Sequence, residues 1–216
     1  MSRTRKVLAS IGVGPHVELL RLTAPSFEAY ARRHGYDVRV ETELVAPERP
    51  ASWSKVKLIR SLLDTYEFAF WVDADAMIVD SSLDIADVVD TFDAGMVAHQ
   101  IGPTRVPNLG IFAVRSTKTG KDFLDRVWTQ VAYWDHKWWE NAAALHLLGY
   151  ELEPEVRLVR PTPMLDRIAW LRSEWNSVVD DWAPRPRIVH YSGHDQTARL
   201  LHLSRHRDQI LGVHRL

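Results

Sequence analysis

The sequence contains no cysteine, which excludes disulfides and thiolate metal sites and fits a reducing compartment. Its formal net charge of -1 gives no basic excess of the kind that nucleic acid binding requires. Apolar runs long enough to span a membrane are also missing, and the start "MSRTRKVLASIGVG" lacks a signal-peptide cleavage site. These absences predict a cytoplasmic protein with no transmembrane segment and no nucleic acid partner, and they leave its oligomeric state open.

The chain does contain a regular alternation of strand-like and helix-like segments. Its 216 residues, 46% of them hydrophobic, suit one fairly large domain. "KVLASIGVG", "YDVRVETEL" and "EFAFWVDADAMIV" are typical of strands, and two helical patterns separate them. The first helix is expected to end at Gly35 and to kink or break at Pro25. Strand–helix alternation of this kind predicts an α/β domain with a mainly parallel sheet.

The second half of the chain adds further elements without a linker or an internal repeat. "AGMVAHQ" and "NLGIFAVRS" are strand-like, and "TGKDFLDRVWTQVAYW" and "WWENAAALHLLG" are helical patterns. A short strand, "RIVHYSG", precedes a tail at 195–216 that is predicted to form one basic helix. We therefore expect a single domain.

The stretch "FWVDADAMIVD", residues 70–80, places two carboxylates inside a run that otherwise resembles a buried strand. Aspartate is a poor strand former, and burial of an unpaired charge is costly. In open α/β sheets, ligands bind beyond the carboxyl ends of the parallel strands, which is where Asp73 and Asp75 would lie. Two carboxylates held there predict an oxygen site for a hard divalent cation, with open positions for phosphate oxygens. The alternative is that one aspartate caps the next element and the other faces solvent.

Two classes of enzyme carry a D-x-D motif on a strand. In phosphatases of the haloacid dehalogenase type, Asp73 would be the nucleophile, but those chains begin with the motif and end with an acidic metal cluster. Here the motif follows the third strand, and the only later acidic pair, Asp180-Asp181, lacks the glycine-led strand that should present it. The phosphatase is therefore the weaker of the two readings.

The second class is the nucleotide-sugar glycosyltransferases. "WSKVKLIRSLL", "YEFAFWVDADAMIVD", "NLGIFAVRST", "WWENAAALHLLG" and "IVHYSGH" occur here in the order and at about the spacing of the galactosyltransferase/xylosyltransferase family. That family includes yeast galactosyl- and mannosyltransferase subunits and plant xyloglucan xylosyltransferases, and the chain is also similar to glycogenin-like transferases. The resemblance covers about residues 6–195. It implies a single GT-A domain over 1–216, with a nucleotide-binding half at 1–107 and a donor-sugar and acceptor half at 108–216.

The resemblance also implies roles for individual residues. Asp73, Asp75 and His190 would hold Mn²⁺ or Mg²⁺ together with the donor diphosphate, while the other histidines, such as His16, His136 and His206, are expected to be replaceable. The predicted nucleotide-binding residues are Ala9, Ser10, Ile11, Gly12, Lys55, Asp73, Gly193 and Arg199. For Lys55 the alternative is a solvated helix face that it shares with Lys57 and Arg60.

Four residues are predicted to bind the donor sugar: Asn108, Gly110, Glu140 and Asn141, the last two also being the catalytic candidates. Gly110 would let the backbone approach the sugar, and the amide of Asn108 would hydrogen-bond its hydroxyls. The family usually has an acidic residue or glutamine, then glutamine and often aspartate, where this chain has Glu140-Asn141-Ala142. If the reaction inverted the anomeric carbon, Glu140 would be the candidate base.

A further departure follows His190, where glycogenin-like chains carry a lysine and this chain has Gln196. Arg199 or His194 is expected to supply that charge. One or two tryptophans of the second half are expected to line the acceptor cleft, the candidates being Trp134, Trp138, Trp139, Trp170, Trp175 and Trp182. The predicted function is metal-dependent, retaining transfer of a hexose or pentose from a UDP-sugar to a hydroxyl of a carbohydrate or small-molecule glycoside. The rival from another class is a non-catalytic nucleotide-sugar-binding protein.

Overall fold

The computed structural model describes residues 4–210, and the end of the predicted tail helix beyond residue 210 lies outside them. The strands are β1 (Lys6–Ile11), β2 (Tyr36–Glu41), β3 (Phe68–Val72), β4 (Ala76–Ile78), β5 (Ala94–Ile101), β6 (Thr104–Arg115), β7 (Tyr150–Glu151), β8 (Arg157–Leu158), β9 (Ile168–Leu171) and β10 (Ile188–His190). The α-helices are α1 (His16–His34), α2 (Ser54–Leu62), α3 (Ile85–Val89), α4 (Lys118–Trp128), α5 (Trp139–Leu148) and α6 (Gln196–Ile210).

A six-stranded sheet in the order β2-β1-β3-β6-β5-β9 forms the centre of the molecule. β1 is parallel to β2 and to β3, and β5 is parallel to β9, whereas β6 runs antiparallel to both of its neighbours. β3 and β5 therefore point the same way, and their carboxyl ends lie at one edge of the sheet. The mainly parallel α/β sheet confirms the predicted fold class. The reversal at β6 follows from the short connection after β5, which permits a hairpin but no crossover.

Helices cover both faces of this sheet, and the sheet separates the core into two layers. Side chains of a strand point alternately to the two faces, so Val7 and Trp71 pack in one cluster of buried residues and Leu8 and Phe70 in the other. The first cluster contains residues of α2, α4 and α5, and the second contains residues of α1 and α3. Burial on both faces explains why the sequence of β3 is a continuous apolar run.

Helix α1 ends as the sequence predicts, because Gly35 adopts the left-handed conformation with φ 70° and donates its N–H to the Ala31 carbonyl. Pro25 does not break the helix, which continues through it. Its buried face, including Phe27 and Tyr30, packs against the sheet and holds the helix together despite the missing hydrogen bond. No helix within residues 4–210 combines the length and the apolarity that a membrane crossing requires.

The strands β4 and β10 form a separate antiparallel pair beside the central sheet. The apolar run after the D-x-D motif is therefore a second short strand and no continuation of β3. The pairing places His190 directly opposite Ala76, and Ile188 opposite Ile78. This register brings the end of β10 to the residues that follow β3, although more than a hundred residues separate the two strands in the sequence.

Candidate active site

The two aspartates of the D-x-D motif lie in a tight turn at the end of β3. The N–H of Ala76 donates to the carbonyl of Asp73 at 3.0 Å and closes the turn. The N–H of Asp73 donates to the carbonyl of Gly110 at 2.9 Å, which fixes the turn to β6. The carboxylates thus lie beyond the carboxyl end of a buried parallel strand, as the sequence indicates.

His190 reaches the same place from β10. Its Nε2 atom lies 3.3 Å from Asp75 Oδ1 and 3.9 Å from Asp73 Oδ2. One ligand atom from each of the three residues lies within 4.8 Å of the others, a group that could hold a metal ion. Two carboxylate oxygens and an imidazole suit Mn²⁺ and Mg²⁺ better than a soft metal.

A hydrogen-bond chain fixes the tautomer of His190. The backbone N–H of Gly110 donates to Asn108 Oδ1 at 2.8 Å, and Asn176 Nδ2 donates to the same oxygen at 3.0 Å. Asn176 therefore turns its Oδ1 atom towards His190 Nδ1, at 2.9 Å. Because that oxygen can only accept, Nδ1 carries a proton, so Nε2 is the ring nitrogen that can bind a metal ion beside the aspartates once it is deprotonated. The sequence gives no sign of this role for Asn176, which follows a short 3₁₀ turn in an irregular segment.

Gly110 is required by the packing of this site. A Cβ atom there would lie 2.3 Å from His190 Cε1 and 2.9 Å from Asp73 Oδ2. The space that a side chain would need is thus already filled by two of the candidate metal ligands. The predicted approach of Gly110 to a donor sugar remains a prediction beside this structural requirement.

Lys55 extends from α2 into the site and is 5% exposed, whereas Lys57 on the same helix is exposed. Its Nζ atom lies 3.0 Å from Asp73 Oδ1 and 2.9 Å from Glu140 Oε1. Burial alone would lower the pKa of Lys55, but the charges of Asp73 and Glu140 outweigh it and raise the pKa above its ordinary value. The solvated-face alternative for Lys55 is therefore wrong, and the lysine bridges the buried carboxylate of Glu140 and the partly exposed carboxylate of Asp73.

Arg199, on α6, provides a second cation on the opposite side of the D-x-D turn. Its Nε atom lies 3.2 Å from Asp75 Oδ2, and its Nη1 atom lies 3.2 Å from His16 Nε2. Burial raises the pKa of Asp75, but the charges of His190 and Arg199 outweigh it, so the pKa lies well below its usual range. Of the two candidates for the missing lysine charge, Arg199 is thus beside the motif.

His194 and Gln196 have other surroundings. The ring of His194 packs against Tyr191 and His202, and the Gln196 side chain donates to the Pro15 carbonyl at 2.7 Å. His16 contacts Arg199, and its expected replaceability stays a prediction.

The catalytic candidates lie at the start of α5, next to β6. Asn141 Oδ1 accepts the N–H of Leu109 at 2.9 Å, and its Nδ2 donates to the carbonyl of Pro107 at 3.3 Å. Glu140 is 4% exposed, and while its Oε1 atom pairs with Lys55, its Oε2 atom is buried without a hydrogen-bond partner among the described residues. Asn141 thus anchors the helix, and Glu140 keeps one oxygen free to accept a hydrogen bond.

These residues surround a cavity of about 780 Å³. Every predicted site residue contributes to its wall except Ala9, Ser10 and Gly12. Ala9 and Ser10 are fully buried within β1, so at this end of the strand the wall is formed by Ile11 and Val13. The wall also includes residues that sequence reasoning did not single out: Ser52, Trp71 and His99.

Two of the candidate tryptophans, Trp138 and Trp139, also line the cavity. Trp139 is 47% exposed and has φ 42°, a conformation that is costly for a residue with a side chain and is typical of functional sites. Trp134, Trp170, Trp175 and Trp182 contribute nothing to the described wall.

Comparison with known proteins agrees with this geometry. A model of the galactosyl transferase GMA12/MNN10 family matches residues 19–97, which include the D-x-D turn. Galactomannan galactosyltransferase 1 from Cyamopsis tetragonoloba is 27% identical over 129 residues, covering 55% of this chain and 29% of that protein. The probable alpha-1,6-mannosyltransferase MNN10 of Saccharomyces cerevisiae is 25% identical over 169 residues, covering 60% and 42%. The chain thus spans less than half of the length of these relatives.

Solved structures give the fold over almost the whole chain. A glycosyltransferase involved in glycosylation of the major capsid of PBCV-1 superposes with a TM-score of 0.70 at 16% identity, covering 93% of this chain and 99% of that one. The galactosyltransferase LgtC, solved with donor and acceptor sugar analogs, gives 0.59 at 10% identity and covers 94% and 95%. The chain has the GT-A fold. The resemblance found in the sequence is confirmed, because the matching family model and the relatives are those of glycosyltransferases. The phosphatase alternative has no support in them.

Proposed function

We propose that this protein transfers a hexose or pentose from a nucleotide diphosphate sugar, a UDP-sugar, to an acceptor hydroxyl with the help of a divalent metal ion. One observation carries the proposal. Asp73, Asp75 and His190 converge within 4.8 Å in a cavity of about 780 Å³ whose wall also contains Lys55 and Arg199. The volume lies within the range of about 300–1,000 Å³ that is usual for small-ligand sites.

The residues present fit a hard divalent cation. Asn176 fixes His190 so that Nε2 offers a lone pair, and Asp73 and Asp75 supply carboxylate oxygens. When bound, such an ion supplies positive charge to the diphosphate as the glycosidic bond breaks. Mn²⁺ and Mg²⁺ are the ions that we expect.

The chain's own cations also face the developing negative charge. Lys55 and Arg199 lie on either side of the D-x-D turn, each within 3.2 Å of one of its carboxylates. A diphosphate entering the cavity would meet both, and fixed cations stabilise a phosphate leaving group without reorganisation. We assign the uridine to the neighbouring wall at Ile11 and Val13.

Glu140 is suited to bind the donor sugar. Its buried Oε2 atom has no partner among the described residues, and a sugar hydroxyl would satisfy it. The ion pair with Lys55 holds this carboxylate beside Asp73, on the donor side of the cavity. That position favours sugar binding over proton abstraction from an acceptor, and with the family resemblance it supports transfer with retention.

Thermal shift with a panel of nucleotide sugars, with and without Mn²⁺, tests the donor and the metal together. We expect UDP and UDP-sugars to stabilise the protein, and more so with Mn²⁺, because binding to the folded state raises its stability. The double variant Asp73→Asn/Asp75→Asn should lose the metal-dependent part while remaining folded. Equal UDP binding with and without Mn²⁺ in wild type and double variant would refute the metal assignment.

A histidine comparison tests the third ligand. His190→Ala should weaken Mn²⁺-assisted UDP binding about tenfold or more, on the scale of one lost interaction of about 1.4 kcal/mol. His146→Ala is the matched control, because His146 is exposed on α5 and lies outside the cavity wall. Equal effects of the two changes would remove His190 from the ligand set.

Product analysis separates the transferase from its rivals. A UDP-sugar incubated with Mn²⁺ and simple glycosides should yield a glycosylated product, whose anomeric configuration by NMR reports retention or inversion. Tight UDP binding without transfer or donor hydrolysis would identify a non-catalytic nucleotide-sugar-binding protein. A beryllium fluoride adduct on Asp73, which mimics an aspartyl phosphate, would instead support the phosphatase.

A further inference from the structure

His99 and Asp181 form a pair in the cavity wall that the proposed donor chemistry does not use. His99 Nδ1 lies 2.9 Å from Asp181 Oδ2. The side chain of His99 is 8% exposed and that of Asp181 is 33% exposed, so the imidazole is the covered partner. His99 belongs to the cavity wall, and Asp181 does not.

The pair fixes which ring nitrogen of His99 can accept a hydrogen bond. Burial lowers the pKa of His99, and this outweighs the opposing effect of Asp181, so the ring is neutral near pH 7. The Asp181 carboxylate accepts, which places the single ring proton on Nδ1. The Nε2 atom, on the other edge of the ring, therefore presents a lone pair, and it is buried without a partner among the described residues.

The sheet order places His99 beyond the donor site. Strand β1 ends at the proposed uridine wall, β3 at the D-x-D turn, and β6 carries Asn108 and Gly110, while β5 with His99 comes next in the sheet. Since β3 and β5 run in the same direction, His99 lies near the same edge as the aspartates. A molecule bound at His99 would thus lie on the far side of the donor sugar from the nucleotide.

The cavity wall has the mixed character of a sugar-binding surface. Ile101 and Trp139 line the cavity and are 43% and 47% exposed. Apolar and aromatic faces pack against the C–H faces of a sugar ring, while its hydroxyls need hydrogen-bond partners. His99 adds to this wall an acceptor that no described residue uses.

We infer that His99, oriented by Asp181, accepts a hydrogen bond from a hydroxyl of a carbohydrate acceptor bound on the β5 side of the cavity. The inference rests on the proposed function, because it names the acceptor class of the same site. In the unliganded protein Nε2 is covered, so the incoming sugar displaces a neighbouring side chain by a rotamer change, as is common on ligand binding. His99 is thereby an acceptor-binding residue that favours substrates with a hydroxyl at the matching position.

Side-chain NMR tests the contact directly. In protein labelled with ¹⁵N-histidine, the His99 signals are identified by their loss in His99→Ala, and the methyl glycosides of mannose, galactose, glucose and xylose are added with and without UDP and Mg²⁺. We expect at least one glycoside to shift the His99 Nε2 resonance. His99→Ala should weaken the binding of that glycoside about tenfold, the scale of one hydrogen bond, and His99→Gln should restore part of it.

Variants of Asp181 and of its neighbour Asp180 provide a test with a matched control. In Asp181→Asn the new amide can donate to Nδ1 as well as accept from it, so the ring is no longer held with its proton on Nδ1, and glycoside binding should fall part of the way to that of His99→Ala. Asp180→Asn changes the exposed neighbour and should have no effect. UDP binding with Mg²⁺, read from the ³¹P signals, should be unchanged in all of these variants.

The outcomes separate this inference from the proposed function. If no glycoside shifts the His99 resonance, or if His99→Ala binds glycosides as the wild type does, the acceptor assignment is wrong. A parallel loss of UDP affinity in His99→Ala would also overturn it, since the residue would then support the fold or the donor site. Failure of the wild type to bind UDP contradicts the proposed function and leaves the His99 readout without UDP intact.

Discussion

Replacement of Lys55 by methionine is expected to destabilise the protein strongly. Lys55 is fully enclosed between Asp73 and Glu140, at 3.0 and 2.9 Å. Methionine fills a similar volume, so the change removes the charge and leaves the packing nearly intact. The carboxylate of Glu140, with a side chain that is 6% exposed, then loses its only cation among the described residues.

The size of the effect follows from that burial. Removing one partner of a buried ion pair costs about 3–5 kcal/mol, because the other charge is left uncompensated. For a chain of this length each kcal/mol corresponds to about 2–4 °C in Tm, so we expect a decrease of about 6–20 °C. The double variant Lys55→Met/Glu140→Gln should recover much of this loss, since the remaining group is neutral.

Thermal and urea unfolding monitored by circular dichroism measure both changes. Lys57→Met is the matched control, because Lys57 is exposed on the same helix and its one contact within residues 4–210 is a cation–π contact with Trp128, 5.2 Å from the ring centre. That contact is worth about 1 kcal/mol or less. An unchanged Tm in Lys55→Met, or a double variant as unstable as the sum of the single changes, would refute the view that Lys55 neutralises Glu140.

Three further predictions follow from other contacts. Gly110→Ala should displace His190, costing about 1–3 kcal/mol of stability by overpacking, and should weaken Mn²⁺ binding measured by electron paramagnetic resonance; unaltered Mn²⁺ affinity would contradict it. Asn176→Ala should lower Mn²⁺ affinity about 10–100-fold by releasing the ring of His190, and calorimetry that finds wild-type affinity would refute this. Burial raises the pKa of Asp84, but hydrogen bonds from Lys6 and Tyr36 outweigh it and lower the pKa; its stabilisation is therefore present above about pH 3.8 and lost as the pH falls through the lowered value. Urea unfolding of Asp84→Asn should show less loss of stability than wild type as the pH is lowered from about 5 to 2, and parallel curves would count against it.

Local patterns in the sequence predicted the strands and helices that surround the site. The apolar run of β3 and the two aspartates after it predict where the D-x-D turn lies. A strand that is buried on both faces must be apolar, so charged residues can follow only after its end. The sequence also predicted that α1 ends at Gly35, which adopts the left-handed conformation. These features depend on neighbours in the chain, so a linear pattern records them.

Contacts between distant parts of the chain were harder to predict from the sequence. The resemblance to a known family identified His190 as a candidate metal ligand. The pairing of β10 with β4, which brings His190 to the site, has no signature in either short strand. Lys55 and Lys57 are alike in the sequence, and only the packing of α2 against β1 and β3 turns one into the cavity and the other to solvent. The sequence placed the uridine at Ala9 to Gly12, whereas burial of Ala9 and Ser10 leaves Ile11 to line the cavity.

The side-chain contacts that sequence reasoning overlooked share one property. Asn176 lies in an irregular segment, and His99 and Asp181 are ordinary polar residues until the fold sets them 2.9 Å apart. Hydrogen bonds between side chains from separate elements depend on the register of strands and the path of loops, which no period of two or 3.6 residues encodes. The sequence alone therefore determined the fold class and the carboxylates of the candidate metal site. The tertiary structure alone decided which amide contacts His190, which lysine lies between Asp73 and Glu140, and which histidine pairs with Asp181.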